Sequence, residues 1–227
     1  MHKIINVLDN PNFLTVESMG AFTLIEHQVD FYDSEGYSDT KKMQLIGDIN
    51  KSPIATQAQC VQWTVGEIVV TPPGKKTGRD VTAKVEYDGS GYLITKATED
   101  HMFLLDMKDW NEQLLVDDTY FVACEAALRQ KLMPRNTLSS AVSGGKGQFN
   151  FALAGKGIVC LKTPVSVDAL TTIVLEKDML RVEENRLVAW SASLIFNVEA
   201  SGESASGSSG GGFVHVLRGS GRALLLP

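Results

Sequence analysis

The four histidines, His2, His27, His101 and His215, stand at no ligand spacing from one another or from a cysteine. Zinc sites built from His and Cys need such pairs, so the sequence offers no metal centre. His101, within Glu99-Asp-His-Met, could exchange a proton with a neighbouring carboxylate as a general base does, but it falls where a hairpin is expected. His215 lies in Phe213-Val-His-Val-Leu217 and reads as a half-buried strand histidine rather than a ligand. Ser143-Gly-Gly-Lys-Gly147 shares its glycines with a phosphate loop, yet Gly147-Gln148 follows Lys146 where Ser or Thr and a helix would be required. Ser139, Ser140 and Ser143 lack the G-x-S-x-G context of a nucleophile elbow. Asp117-Asp118 and Glu183-Glu184 read as solvated turns, and Trp63, Trp110 and Trp190 as separate core or interface anchors. No catalytic, cofactor-binding or metal residue is assigned, and the expectation is a protein that is not an enzyme.

What must position these residues is set by length and composition. The chain has 227 residues, 44% hydrophobic and 21% charged, enough to bury a core and unlike a disordered chain. With 21 basic against 27 acidic residues the net charge is −6, so broad phosphate neutralisation, and with it nucleic-acid binding, is not expected. Cys60, Cys124 and Cys160 are odd in number and far apart, which suits reduced thiols better than a disulfide framework. The opening Met1 to Pro11 has no sustained apolar stretch and meets Asp9, unlike a secretory signal or a transit peptide. No apolar run approaches the roughly 20 residues of a membrane-spanning helix. A cytoplasmic setting is expected.

Self-similarity is the strongest signal. Gly147-Gln-Phe149 through Leu161 lies over Gly211-Gly-Phe213 through Leu225, with Gly147/Gly211, Phe149/Phe213, Leu153/Leu217, Gly155/Gly219, Gly157/Gly221 and Leu161/Leu225 identical. Upstream, Asp118 to Val122 lies over Asp178 to Val182, and the change of offset falls on Ser201 to Gly212, where ten of twelve residues are Ser or Gly. Such a stretch reads as a flexible loop inside a repeat. A fainter copy aligns Gly91, Leu93, Ala97, Phe103 and Leu105 with Gly147, Phe149, Leu153, Val159 and Leu161, its Gly-x-Gly replaced by Glu99-Asp-His101. The expected organisation is one β domain over residues 1–227, with copies at about 53–110, 111–168 and 169–227.

Each copy reads as β structure. Phe149, Phe151 and Leu153 alternate with Asn150 and Ala152, the period of a strand. Gly155-Lys-Gly157 then supplies a tight hairpin and Ile158 to Leu161 the returning strand, a reading repeated at Gly219-Ser-Gly221. Further strands are expected at 58–65, 67–71, 81–87, 120–124 and 187–197. Glu125 to Met133 has helix propensity, but the repeat lays part of it over a strand, and strand is preferred. A single helical turn can open at Asp168. The fold class is all-β, a closed or sandwiched antiparallel architecture.

Pro53-Ile-Ala, then Val65-Gly-Glu-Ile-Val69, then Pro73-Gly74 open a pattern that continues in Gly147-x-Phe-x-Phe-x-Leu-x-Gly-x-Gly-x-x-x-Leu161-Lys-Thr-Pro164. Val188-Ala-Trp190 and Gly219-Ser-Gly-Arg-Ala-Leu-Leu-Leu226 close it. From Pro53 to Pro227 the chain resembles the altered-inheritance-of-mitochondria family, member twenty-four, which also occurs as a bacterial domain of unknown function. The resemblance implies a duplicated double-stranded β-helix or barrel-like sandwich, like the tryptophan RNA-binding attenuation protein. It also implies a non-enzymatic role, tied in eukaryotic relatives to mitochondrial inner-membrane organisation, and brings no catalytic residues or cofactor. RNA or tryptophan binding does not follow from the fold. The expected function is binding or assembly as a homo-oligomer. The alternatives are a cupin-like small-ligand binder or enzyme, with a cavity lined by His101, His215 or acidic side chains, and a membrane-periphery scaffold.

Overall fold

Ile158-Val-Cys-Leu161 and Leu187-Val-Ala-Trp190 are apolar without interruption, as strands covered on both faces must be, and both are buried throughout. The computed structural model describes residues 13–28, 31–33, 36–38, 41–74, 76–77, 80–81, 83–134, 149–183, 185–200 and 213–227. The first ten strands are β1 (Phe13–Met19), β2 (Phe22–His27), β3 (Phe31–Asp33), β4 (Gly36–Ser38), β5 (Met43–Asp48), β6 (Ile54–Thr56), β7 (Val61–Thr71), β8 (Lys76–Thr77), β9 (Asp80–Val81) and β10 (Val85–Thr95). The others are β11 (His101–Asp106), β12 (Gln113–Asp117), β13 (Phe121–Glu125), β14 (Arg129–Pro134), β15 (Phe149–Ala154), β16 (Ile158–Thr163), β17 (Thr171–Glu183), β18 (Leu187–Ser191), β19 (Ile195–Ala200) and β20 (Phe213–Leu225). No α-helix occurs among the described residues, only short 3-10 turns at Ala58–Cys60, Met107–Trp110 and Val167–Ala169. The protein is all-β.

Two antiparallel sheets hold nearly all of it. The larger runs β1-β2-β5-β10-β6-β13-β16-β11, with β7 on the free side of β10, and it curls into a nearly closed barrel. Side chains close its seam: Glu17 of β1 accepts the Leu104 N–H of β11 at 3.1 Å. Glu125 accepts Ala21 N–H and Ile158 N–H, each at 3.0 Å, and so ties the β1–β2 turn to the start of β16. Charge-assisted bonds of this kind are stronger than neutral ones and satisfy backbone donors that lack a ladder partner. The smaller sheet, β14-β15-β12-β18-β20-β17 with β19 also on β20, forms a half-barrel.

Alternation divides the core. In β16, Val159 and Leu161 face the smaller sheet, where they join Phe121, Phe151, Leu153 and Val188; Ile158 and Cys160 face the barrel interior with Phe22, Leu45 and Leu93. Leu115, Trp190 and Leu217 fill the half-barrel. A fourth, small cluster of Ile25, Ile46 and Ile94 lies on the outside of the barrel wall.

The Gly-x-Gly segments are not hairpins. At Gly155-Lys-Gly157 the chain leaves β15, paired with β12 and β14, and enters β16, paired with β11 and β13 in the other sheet. Gly219-Ser-Gly221 lies within the unbroken β20, which passes there from β19 to β18 while keeping β17. Gly89-Ser-Gly91 does the same in β10, which passes from β6 to β5 while keeping β7. The handover in β10 is therefore at 89–91, upstream of Glu99-Asp-His101, where the alignment places the counterpart of Gly155-Lys-Gly157. Local glycine spacing could not distinguish a strand that reverses from one that bends onward; the pairing of its neighbours decides.

Other boundaries also move. Residues 58–60 are a 3-10 turn before β7, 126–128 are a turn and not strand, and 192–194 split the expected strand 187–197 into β18 and β19. The strand reading holds from Arg129, and the helical turn near Asp168 is present. The loop 201–212 lies outside the described residues.

Gly66 and Gly91 are Cα partners in the β7–β10 ladder, with φ of 127° and 145°. A Cβ on Gly91 would lie 2.0 Å from the Val65 carbonyl oxygen, and one on Gly66 2.1 Å from that of Ser90. Gly91→Ala is expected to cost about 2–4 kcal/mol in urea unfolding, strain and clash together. Gly74→Ala, at φ 80° with nothing within 4 Å, is expected to cost only about 1 kcal/mol from backbone strain. Equal losses would show that the backbone crossing is not tight.

Candidate functional site

On the outer wall of the barrel, Ile25, Ile46 and Ile94 form the floor of an open hollow of about 270 Å³. Strand pairing brings them together: Ile46 stands opposite Ile94 across β5–β10, and Ile25 opposite Gln44 across β2–β5. Phe13 and Trp63 wall it, and His27, Gln44, Gln62 and Ala97 complete the lining. Gln62 and Trp63 are consecutive and should point to opposite faces of a regular strand. A bulge prevents this, because Trp63 pairs with Ile94 and Val61 with Thr95, leaving Gln62 as the extra residue. Bulges re-aim side chains in this way. Trp63 remains 41% exposed.

A hydrogen-bonded chain runs along one wall. Gln44, 8% exposed, donates from Nε2 to Gln62 Oε1 at 2.9 Å and to the Thr95 carbonyl at 2.7 Å. Its Oε1 is left to accept, which assigns the proton of neutral His27 to Nε2, 3.0 Å away. His27, 9% exposed, meets Phe13 edge-on at 4.7 Å. Burial pushes its pKa below the ordinary 6.5, outweighing the Gln44 hydrogen bond that acts the other way. None of the described lining residues is then charged at neutral pH. A dry floor with a few fixed amides suits binding of a neutral body and offers no nucleophile.

The residues singled out by sequence lie elsewhere, apart from His27 and Trp63. His101 is exposed at the start of β11, and His215 is buried in β20 of the other sheet, edge-on to Phe196 at 5.0 Å. The two histidines stand in different sheets and do not meet, as the alternative of a shared cavity between the repeats would ask. Asp117 is buried and caps Thr119 N–H at 3.0 Å; Asp118 is ion-paired with the buried Lys84, whose ammonium sits 4.9 Å from the Phe151 ring centre. Neither acid is the solvated turn expected. Glu183 is exposed. Trp110 and Trp190 are core residues. Cys124 and Cys160 are buried free thiols whose pKa burial pushes far up; Cys60 is a partly buried free thiol, raised by the same cause. His2, Ser139, Ser140, Ser143, Lys146 and Glu184 lie outside the described residues. Among those described, no cluster of three or more His, Cys, Asp or Glu could hold a metal.

Sequence reasoning missed Phe13, Ile25, Gln44, Gln62 and Ile94, because five strands contribute to the hollow. The available signal was polar interruption: Gln44 within Met43-Gln-Leu-Ile46 and Gln62 within Val61-Gln-Trp63.

A family model described as mitochondrial biogenesis AIM24 matches residues 53–227. The chain belongs to this family. A search of curated proteins finds no match. Among solved structures, the X-ray structure of a structural-genomics target from Streptococcus pyogenes is similar over 95% of this chain and 92% of that one, at 18% identity and a TM-score of 0.60. That likeness concerns the fold. Of the hollow's lining, Phe13, Ile25, His27, Gln44 and Ile46 precede the segment matched to the family. No helix among the described residues is long and apolar enough to cross a membrane.

Two outcomes follow from the electrostatics. A histidine whose folded pKa is depressed binds its proton more readily when unfolded, so its contribution to stability is full above pH 6.5 and is lost as pH falls toward the folded value. Urea midpoints from pH 8 to 5 should therefore fall more steeply for the wild type than for His27→Gln below about pH 6.5; parallel curves would contradict the buried neutral ring. Ellman's reagent should label Cys60 slowly in the native protein and reach Cys124 and Cys160 only after denaturation.

Proposed function

We propose that this family member acts by binding and assembly rather than catalysis, as a homo-oligomer in a reducing cytoplasm. The observation that carries this reading is the edge of β7. Among the described strands this eleven-residue strand pairs with β10 alone. Its free side presents a row of backbone donors and acceptors, and Val65, Val69 (66% exposed) and Val70 stand in solvent beside it. Natural edges of this length are normally blunted. The other long edge, β17, is blunted: Glu176, Lys177 and Asp178 interrupt it at a bulge, with Lys177 at φ 55°. β7 carries a single charge, Glu67. Such an edge suits strand addition from another copy. The three free thiols suit a reducing compartment.

The same comparison supports a finer reading of the fold. β7/β10 and β17/β20 are both long ribbons whose inner strand bends at Gly-Ser-Gly and changes partner there. We read them as duplicated units of a double-stranded β-helix like that of the tryptophan RNA-binding attenuation protein. The apolar floor and fixed amides of the described lining suit binding.

Light scattering after size exclusion tests the assembly. The wild type should run as a multimer, and Val69→Lys should reduce its mass at unchanged circular dichroism, since a lysine on an edge strand opposes pairing. A wild-type monomer, or a multimer indifferent to Val69→Lys, would overturn the proposal for this edge.

A further inference from the structure

We propose that the hollow on the outer barrel wall is a binding site for a small neutral molecule with a flat apolar body and one acceptor oxygen, a carbonyl or ether. The inference deepens the binding reading above and rests on it. Three observations select this class. The floor of Ile25, Ile46 and Ile94 and the walls of Phe13 and Trp63 offer apolar surface, one aromatic wall of which stays open to solvent. Among the described residues the lining holds no acid and no lysine or arginine, and His27 is neutral, so none of them offsets the desolvation of a ligand charge. The third is the state of Gln62, which is exposed at the rim. Its Oε1 is occupied by Gln44, which fixes the amide, and its Nε2 faces solvent. The bulge therefore presents at the mouth of the hollow a donor whose orientation is set by the Gln44–His27 chain and whose acceptor water a ligand oxygen can replace. A volume of about 270 Å³ matches a single ring with a short substituent.

Acetophenone supplies such a ring and carbonyl; ethylbenzene lacks the oxygen and benzoate adds a charge. The indole N–H cross-peak of Trp63, identified by its loss in Trp63→Phe, should shift saturably with acetophenone. Ethylbenzene and benzoate should bind more weakly. Gln62→Leu should weaken acetophenone roughly three- to tenfold, the range of one neutral hydrogen bond, and leave ethylbenzene unchanged. Ile46→Trp should abolish binding by filling the hollow. Should that variant unfold, Phe13→Ala at the partly buried wall should weaken acetophenone with circular dichroism unchanged. No saturable shift up to the solubility limit, equal binding of all three probes, or indifference to Gln62→Leu would overturn the site. Assembly is read separately by the Val69→Lys mass: an empty hollow on a multimer that this substitution dissociates removes the site and leaves the assembly reading standing.

Discussion

The structure depends on the backbone crossing at Gly66 and Gly91. An eleven-residue strand spans roughly 36 Å at about 3.3 Å per residue, too long to follow a curled barrel wall without bending. β10 bends at Gly89-Ser-Gly91 and exchanges β6 for β5 as its partner, and β7 follows it only because neither glycine carries a Cβ at the closest approach. Everything beyond that bend is positioned by it. Leu93 turns into the barrel interior, and Ile94 turns outward to the floor of the hollow.

A shared wall is the second constraint. β13 and β16 are walls of the barrel and also one side of the core between the sheets, so both of their faces are apolar. A one-residue slip would exchange the two faces. Specific side chains fix the register at the ends of the ladders: Glu17 and Glu125 hold backbone donors across the seam, and the ammonium of Lys84 is shared by Asp118 and the rings of Phe121 and Phe151. Removing one partner from an arrangement of this sort costs more than the pair contributes, because the other is left desolvated.

The β class, the apolar central strands and the family were legible in the sequence because they rest on local pattern: period-two alternation, continuous apolar runs, and glycines in order. The handovers were not. Gly155-Lys-Gly157 meets every local requirement of a hairpin, and only β11 and β13, distant in sequence, make β16 a strand of the other sheet. The hollow was illegible for a related reason. Its lining is drawn from β1, β2, β5, β7 and β10 and the segment after β10, and its polar chain depends on a bulge that nothing in Val61-Gln-Trp-Thr64 announces. Asp117 and Asp118 misled because two adjacent acids in a turn usually face water; here a buried lysine faces one and a backbone N–H the other.

Gly66 also divides β7 into halves with different surroundings. Before it, the bulge turns Gln62 and Trp63 toward the barrel wall, where Gln44 is nearly dry and satisfied by three hydrogen bonds. A buried amide network is costly unless complete, and this one is complete up to the outward hydrogens of Gln62. After the bend, Val69 and Val70 stand in solvent beside an unpaired edge. The first half is concave and polar at one end, which suits a molecule enclosed on several sides. The second is flat and repetitive in backbone, which suits another strand. One strand thus carries two surfaces of different chemistry, and the glycine that allows the barrel to close is also what keeps them apart.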